Sequence, residues 1–302
     1  MTAEFGRITI LGLGLIGGSL AKALKKVGAV REVVAWGHRE ASLQAGVQLG
    51  IIDSYSLDLG EAISGSDVIV IATPTLIAET MLAQLAPLFD SATLITDVAS
   101  VKGNLQRAAE KIHGAMPSNL VLAHPIAGSE QSGVAAAKAD LFIDHRVILT
   151  PAERTSTQAL ARIERMWSLT GADVSSMTVD EHDQILAATS HLPHVLAFAL
   201  VDALAGAPEQ RGIFRYAAGG FRDFTRIAGS DPKMWHDIAL ANRTSLLAAL
   251  DLFTERLGSL RTAIERNDSA ALMASFGRAK EARDEFAEEL RKRASPSNIG
   301  DE

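Results

Sequence analysis

Along the first half of the chain, short apolar runs rich in β-branched residues alternate with stretches whose apolar positions recur every three or four residues. The runs at residues 8–11, 32–36, 68–72, 93–97, 120–123 and 146–149 mostly lack polar alternation, as strands covered on both sheet faces do. Helical periodicity fills the intervals at 19–27, 41–49, 76–88 and 101–111. Strands alternating with helices predict an α/β fold whose sheet is mostly parallel, with crossover helices on its faces. Past Pro151 come one more amphipathic helix, at 155–169, and a closing strand at 173–177. From residue 178 onward the pattern is helical only, notably at 238–256 and 257–266. The stretch 270–292 is dense in alternating charge, which suits a solvated helix or one at a subunit surface, and 294–302 reads as a frayed polar tail. With 302 residues, the chain is long for one compact core. Two domains are expected: an α/β domain at 1–177 and an all-α helical domain at 178–302.

The turn after the first strand carries chemistry. Gly12, Gly14 and Gly17 stand in the spacing G-x-G-x-x-G, with Leu15 and Ile16 between the last two and Gly18 and Ser19 following. The first glycine allows the tight turn, the second lets backbone approach a phosphate, and the third lets helix and strand pack closely. Amides at the helix start would then face a pyrophosphate, with the helix dipole favouring its negative charge. Strand, glycine turn and helix start in the first βαβ unit make 1–177 a Rossmann domain that binds a dinucleotide.

The second strand bears on which dinucleotide. An acid about 20 residues beyond the glycines would hydrogen-bond an unphosphorylated ribose. Here the strand ends in Gly37, His38 and Arg39, with no acid before Glu40. A glycine beside two basic side chains leaves room and positive charge for a 2′-phosphate, so NADP is the expected cofactor. NAD remains the alternative if His38 and Arg39 are ordinary loop residues. Thr73, just past the third strand, joins the cofactor-binding set.

Composition narrows the classes further. The chain has no cysteine, which excludes disulfides, thiolate metal sites and a cysteine nucleophile. Residues 1–7 are short and mixed, and apolar runs such as 68–72 are far too short for a bilayer. A cytoplasmic protein without a membrane partner is expected. A net charge of −7 argues against nucleic acid. Locally the balance reverses: Arg211, Arg215, Arg222 and Arg226 stand against the single acid Asp223, a local charge of +3. Arginine suits bidentate carboxylate recognition, so an anionic small molecule is the expected substrate.

Further segments hold reactive side chains. DVASVKG, residues 97–103, follows a strand and brings Ser100 and Lys102 to a sheet edge where ligands bind. AHPIAGSEQSG, residues 123–133, brings His124, whose imidazole can take a proton near its reference pKa of about 6.5. Ser100 also suits a helix N-cap. In the helical half lie SHLPH at 190–194 and GGFRDFTRIAGSDPKMW at 219–235. His191 and His194 are three apart, but Pro193 intervenes and no further ligand set is visible, so no metal is expected.

Taken in order, GLGLIGGS, DVASVKG, HPIAGSE, SHLPH and FRDFTRIAGSDPKMW resemble the prephenate and arogenate dehydrogenases of tyrosine biosynthesis. The resemblance runs from about residue 8 to 256. It implies a Rossmann domain joined to a helical domain that forms a homodimer. It implies oxidative decarboxylation of prephenate or arogenate, driven one way by aromatisation. By the same resemblance, His124 is the catalytic histidine and Ser100 hydrogen-bonds it or the substrate hydroxyl. Ser129 and Glu130 line the substrate pocket, Glu130 with an ion pair that gates it. His194 and Arg226 contact the substrate side-chain carboxylate, with Asp223 an ion-pair partner and Trp235 a wall; His191 reads as a core or interface residue. Tyrosine, if it inhibits, is expected to compete directly in the active site. Two other readings remain: a β-hydroxyacid dehydrogenase of the Rossmann-plus-helical kind, and a non-catalytic NADP-binding sensor.

Overall fold

A computed structural model describes residues 3–88, 90–128, 131–206 and 212–294. The chain forms two compact units, Met1–Leu246 and Leu247–Glu302.

The first unit is organised by one 8-stranded sheet of order β3-β2-β1-β4-β5-β6-β7-β8. Its strands are β1 (Phe5–Leu11), β2 (Val30–Trp36), β3 (Ser54–Ser56), β4 (Val68–Ile71), β5 (Leu94–Asp97), β6 (Leu120–Pro125), β7 (Arg146–Thr150) and β8 (Asp173–Ser176). All neighbours run parallel except β6 and β7. Crossover helices are α1 (Leu15–Lys26), α2 (Glu40–Gln48), α3 (Leu59–Ile63), α4 (Thr75–Leu85), α5 (Gly103–His113) and α6 (Thr157–Ser168). The first strands step outward from β1 to β3, and the chain then returns to β4 on the other side of β1. That reversal opens a crevice beyond the carboxyl ends of β1 and β4, the place where open α/β sheets bind ligands.

The lack of polar alternation has a direct cause: the strands are buried on both faces. Ile8 and Ile10 point into one core, with Leu20, Leu24, Ile163 and Trp167. Leu11, Ile69 and Ile71 point into the other, with Met81, Leu82 and Leu105. At about 25 cal/mol per Å² of apolar surface, such two-sided burial dominates the stability of these strands.

Three differences from the sequence reading have physical reasons. Strand β3 and helix α3 went unpredicted. Strand β3 is three residues of polar Ser-Tyr-Ser at the sheet edge, and α3 is five residues started by the Asp58 side chain, which accepts from Glu61 N at 2.8 Å. Strand β6 runs on through His124 and Pro125, because both pair with β7, opposite Ile148 and Val147. In the helical half no break falls at 256/257: α11 (Arg243–Glu265) is continuous, and the break lies at Asn242, after α10 (Pro232–Ala241). Asn242 donates its side-chain amide to Asp183 O at 2.7 Å, an interaction with a residue 59 positions away that no local periodicity reports.

Helix α7 (Val179–Leu186) opens with a capping box between Thr178 and Glu181. It passes through one π-helical turn, Ala187–His191, into α8 (Leu192–Ala205). Pro193 cannot donate to the carbonyl four residues back and crowds it, which accounts for the widened turn just before it. The run Val179–Ala205 is long and apolar enough to cross a membrane by length and composition alone, a test that core helices also pass. Its first turns nevertheless carry buried His182 and Asp183, both bonded into the α/β unit. Short α9 (Gly219–Thr225) precedes α10. The second unit holds the rest of α11 and α12 (Ser269–Ala294), with Leu252, Leu257, Met273, Phe276 and Phe286 exposed.

Candidate functional site

At the switch point the glycines take distinct roles. Gly12 has φ +96°, and a Cβ there would stand 2.9 Å from Ala72 O, so both the turn and the approach to the next strand demand glycine. At Gly17 a Cβ would meet Ile10 Cγ2 at 2.7 Å and Gly12 O at 3.0 Å, which fixes how closely α1 lies on the sheet. Gly14 has open space where its Cβ would be and stands at the N-cap of α1 with no side-chain cap. Leu15 and Ile16 begin the helix, whose first turn holds no acid. Across the turn, the buried Thr73 hydroxyl has no hydrogen-bond partner among the described residues. A bare helix start, an unpartnered hydroxyl and no competing carboxylate fit a pyrophosphate. His38 and Arg39 are exposed just past β2, with the His38 ring edge-on to Trp36 at 4.8 Å.

The second half of the site lies along the same carboxyl edge, beyond β5 and β6. Asp97, fully buried at the end of β5, accepts from Ala99 N at 2.8 Å and Ala123 N at 3.1 Å, and pairs with the Lys102 ammonium. Lys102 also donates to Ala123 O at 2.6 Å. Burial pulls the Lys102 pKa below its ordinary value, and the Asp97 charge partly offsets this. The sequence reading placed Lys102 among ligand-facing residues. In the fold it turns inward and clamps β5 to β6 immediately before His124.

Ser100 stands in the loop after β5, but α5 starts at Gly103 and its end is capped from elsewhere. Asp183 of α7 accepts from Lys102 N at 3.0 Å and Gly103 N at 2.8 Å, so the N-cap reading of Ser100 is not met.

His124 is 8% exposed and its Nδ1 lies 2.9 Å from His182 Nε2. His182 Nδ1 in turn lies 2.8 Å from Asp183 Oδ1. Burial holds the His124 pKa well below 6.5, and neighbouring His182, Lys102 and His191 push the same way. His182 is lowered too, mainly by burial against the pull of Asp183. Burial works to raise the Asp183 pKa, but hydrogen bonds from His182, Lys102 N and Gly103 N outweigh it and hold the carboxyl low. The result is a neutral, desolvated imidazole backed by an ionised carboxylate, an arrangement suited to accepting a proton.

A third cluster comes from the helices after residue 178. His191 is buried beside Asn242, 3.1 Å from its amide, and burial lowers its pKa to about 4. His191 is a core residue, as the sequence reading had it. His194 stacks on Trp235, with ring centroids 3.6 Å apart and planes 18° apart. Its Nδ1 donates to Ser190 O at 2.8 Å, which leaves Nε2 on the other side of the ring. Burial lowers the His194 pKa, the Ser190 bond opposes this, and the nearby positive charge of Arg226 adds to the lowering. Trp235 Nε1 is buried without a partner among the described residues. Arg226 is exposed at the end of α9, while Asp223 is exposed and pairs with Arg222 at 3.2 Å. Ser129, Glu130 and Arg211 lie outside the described residues.

His182, Asp183 and Asn242 escaped the sequence reading. Adjacent His and Asp in the opening turns of an amphipathic helix were a signal, but nothing in their spacing linked them to a histidine 58 positions earlier.

A Rossmann sheet with a glycine turn at its switch point, and a desolvated imidazole along the same edge, defines a nicotinamide-dependent dehydrogenase. Comparison with known proteins agrees. The family model described as "Prephenate dehydrogenase, nucleotide-binding domain" matches residues 20–176, and "Prephenate dehydrogenase, dimerization domain" matches 178–278. Cyclohexadienyl dehydrogenase of Zymomonas mobilis is 36% identical, over 92% of this chain and 95% of that protein. The crystal structure of prephenate dehydrogenase from Aquifex aeolicus, in complex with hydroxyphenyl propionate and NAD+, is 35% identical. Its TM-score is 0.86, over 93% of this chain and 98% of that one. Arogenate dehydrogenase of Synechocystis is 29% identical with a TM-score of 0.79, over 93% and 99% of the two chains. The chain belongs to the prephenate dehydrogenase family.

Proposed function

We propose that this protein oxidatively decarboxylates prephenate to 4-hydroxyphenylpyruvate, with arogenate, giving tyrosine, as a second substrate of the same site. The observation that carries this is the neutral, buried His124 imidazole on the sheet edge it shares with the glycine turn. A bound nicotinamide would supply the hydride acceptor for the ring carbon that bears the hydroxyl. His124 takes the hydroxyl proton as that carbon becomes a carbonyl carbon. The ring carboxylate leaves as carbon dioxide, and the electrons of its broken C–C bond complete the aromatic ring, with the phenolic oxygen reprotonated. Ser100, in the loop beside β6, orients the hydroxyl. Arg226 and His194 hold the side-chain carboxylate, and Trp235 walls the pocket; Ser129 and Glu130 belong to the same pocket by family resemblance.

The cofactor proposed is NADP. His38 and Arg39 stand exposed where a 2′-phosphate would lie, and no acid occupies that place. Gly12, Gly14 and Gly17 with Leu15, Ile16 and Thr73 would hold the pyrophosphate. The functional division at 177/178 is supported by the two family matches, which meet there. A homodimer is supported by the description of the second match and by the exposed apolar side chains of α11 and α12.

One experiment tests the reading: kcat/KM for prephenate and arogenate, each with NADP and NAD. Prephenate with NADP is expected to be the best pair, and Arg39→Ala to lower kcat/KM with NADP about tenfold or more, the loss of one charge-assisted phosphate contact, while sparing NAD. Absence of turnover in all four combinations would overturn the enzyme reading. NAD preferred by the unaltered protein would overturn the cofactor.

A further inference from the structure

We propose that His182 and Asp183 are a positioning pair that holds His124 in its Nδ1–H tautomer, so that Nε2 is the nitrogen that takes the substrate proton. The inference rests on His124 being the base and adds which atom acts and what sets it.

The argument follows the hydrogen bonds outward from a carboxylate. Asp183 Oδ1 faces Lys102 N and His182 Nδ1, and Oδ2 faces Gly103 N. Two of these partners are backbone amides, which can only donate, so the carboxylate accepts throughout. It also sits at the N-terminus of α5, where the helix dipole favours negative charge. His182 Nδ1 therefore carries a proton. His182 is fully buried and neutral, which leaves Nε2 with a lone pair. That lone pair lies 2.9 Å from His124 Nδ1, so His124 donates there, and its own Nε2 is bare. The isolated imidazole side chain prefers the opposite tautomer, with the proton on Nε2, which could not accept one. Without the pair, His124 would stand largely in the inactive form.

The same chain stabilises the product of the step. When Nε2 takes a proton, the imidazolium keeps its Nδ1–H bond to His182, with the Asp183 charge behind it. Among the described residues, Lys102, Asp97 and His191 act on the histidines of this chain, and the Arg107 guanidinium lies near Asp183 beside Gly103. Lys102 and Asp97 neutralise each other, and His191 stays uncharged near pH 7 with its pKa of about 4. Asp183 thus contributes the charge that the new imidazolium meets. Because Asp183 comes from α7 and caps α5, the base reaches its working tautomer only when α7 is docked on the sheet edge.

Nitrogen-15 spectra of histidine-labelled full-length protein, without substrate, read the tautomer directly. The His124 signals are assigned by their loss in His124→Asn. The expected pattern is a protonated Nδ1 and a bare Nε2 at neutral pH; a proton on Nε2 overturns the proposal, whether or not the protein turns over prephenate. His182→Phe removes the acceptor, and His124 should then move to the Nε2–H form. With it kcat should fall about 100-fold, the lower end for general-base catalysis, while KM stays within about threefold. His182→Gln returns an acceptor carbonyl and should restore most of kcat together with the Nδ1–H signature. A folded His182→Phe variant that keeps either wild-type kcat or the Nδ1–H form of His124 also overturns it.

Discussion

Replacing His124 by Asn lowers kcat by about 100- to 10,000-fold, the usual contribution of a general base, and leaves KM within a few-fold. That is about 3–5 kcal/mol of transition-state stabilisation. Asparagine suits the test because it can still donate a hydrogen bond toward His182 yet cannot take a proton. His124 is almost fully buried and pairs with Ile148 across β6 and β7, so its backbone should stay in place. The pH profile sharpens the expectation. A histidine whose pKa is depressed in the fold stays unprotonated as pH falls past 6.5, and charges only at lower pH. Burial first, then His182, Lys102 and His191, depress His124 in this way. The acid limb of wild-type kcat/KM should therefore lie below pH 6.5, and the residual activity of the variant should lack it. Initial rates of nicotinamide reduction from about pH 5 to 9, spanning the imidazole range, decide the matter. A variant within tenfold of wild type, or one with the same acid limb, would sink the assignment.

The second large effect is on binding. Arg226→Ala should raise KM for prephenate by about 100-fold, since a bidentate charge-assisted carboxylate contact contributes about 3 kcal/mol. Arg226 is exposed at the end of α9 and its charge is felt at His194, which stacks on Trp235. On the proposed function, these three side chains together would hold the substrate carboxylate. Because Arg226 is exposed, its loss should leave the thermal midpoint within a degree or two, the usual outcome for a surface substitution. Arg226→Lys should recover only part of the affinity, since an ammonium lacks the planar fork. Arg222 supplies the contrast. Its side chain is 80% exposed and engaged with Asp223, so Arg222→Ala should leave KM close to wild type. Steady-state kinetics of the three variants test this, and an unchanged KM in Arg226→Ala would remove Arg226 from the site.

How much of this was legible in the sequence varies by element, for identifiable reasons. The long central strands were, because burial on both faces writes an unbroken apolar run. Edge strand β3 was not, because three polar residues that rely on β2 for their hydrogen bonds carry no run of their own. The glycine turn was legible because its demand is local: Gly12 must adopt a positive φ beneath Ala72, and few residues can. Lys102 was recognised as special but assigned to the wrong side. A lysine beyond a strand reads as ligand-facing until the fold shows Asp97 and Ala123 O waiting for it inside.

What the sequence determined by itself, then, is whatever rests on contacts between near neighbours: the alternation of strands and helices, the glycine turn, the basic end of β2, and the motifs that mark the family. The tertiary structure alone decided the protonation state of His124. Burial holds the His124 imidazole neutral, and only α7 brings His182, backed by Asp183, against it from 58 and 59 positions away. Hydrogen bonds and desolvation act through space, and residues that meet only in the folded chain leave no shared period along it.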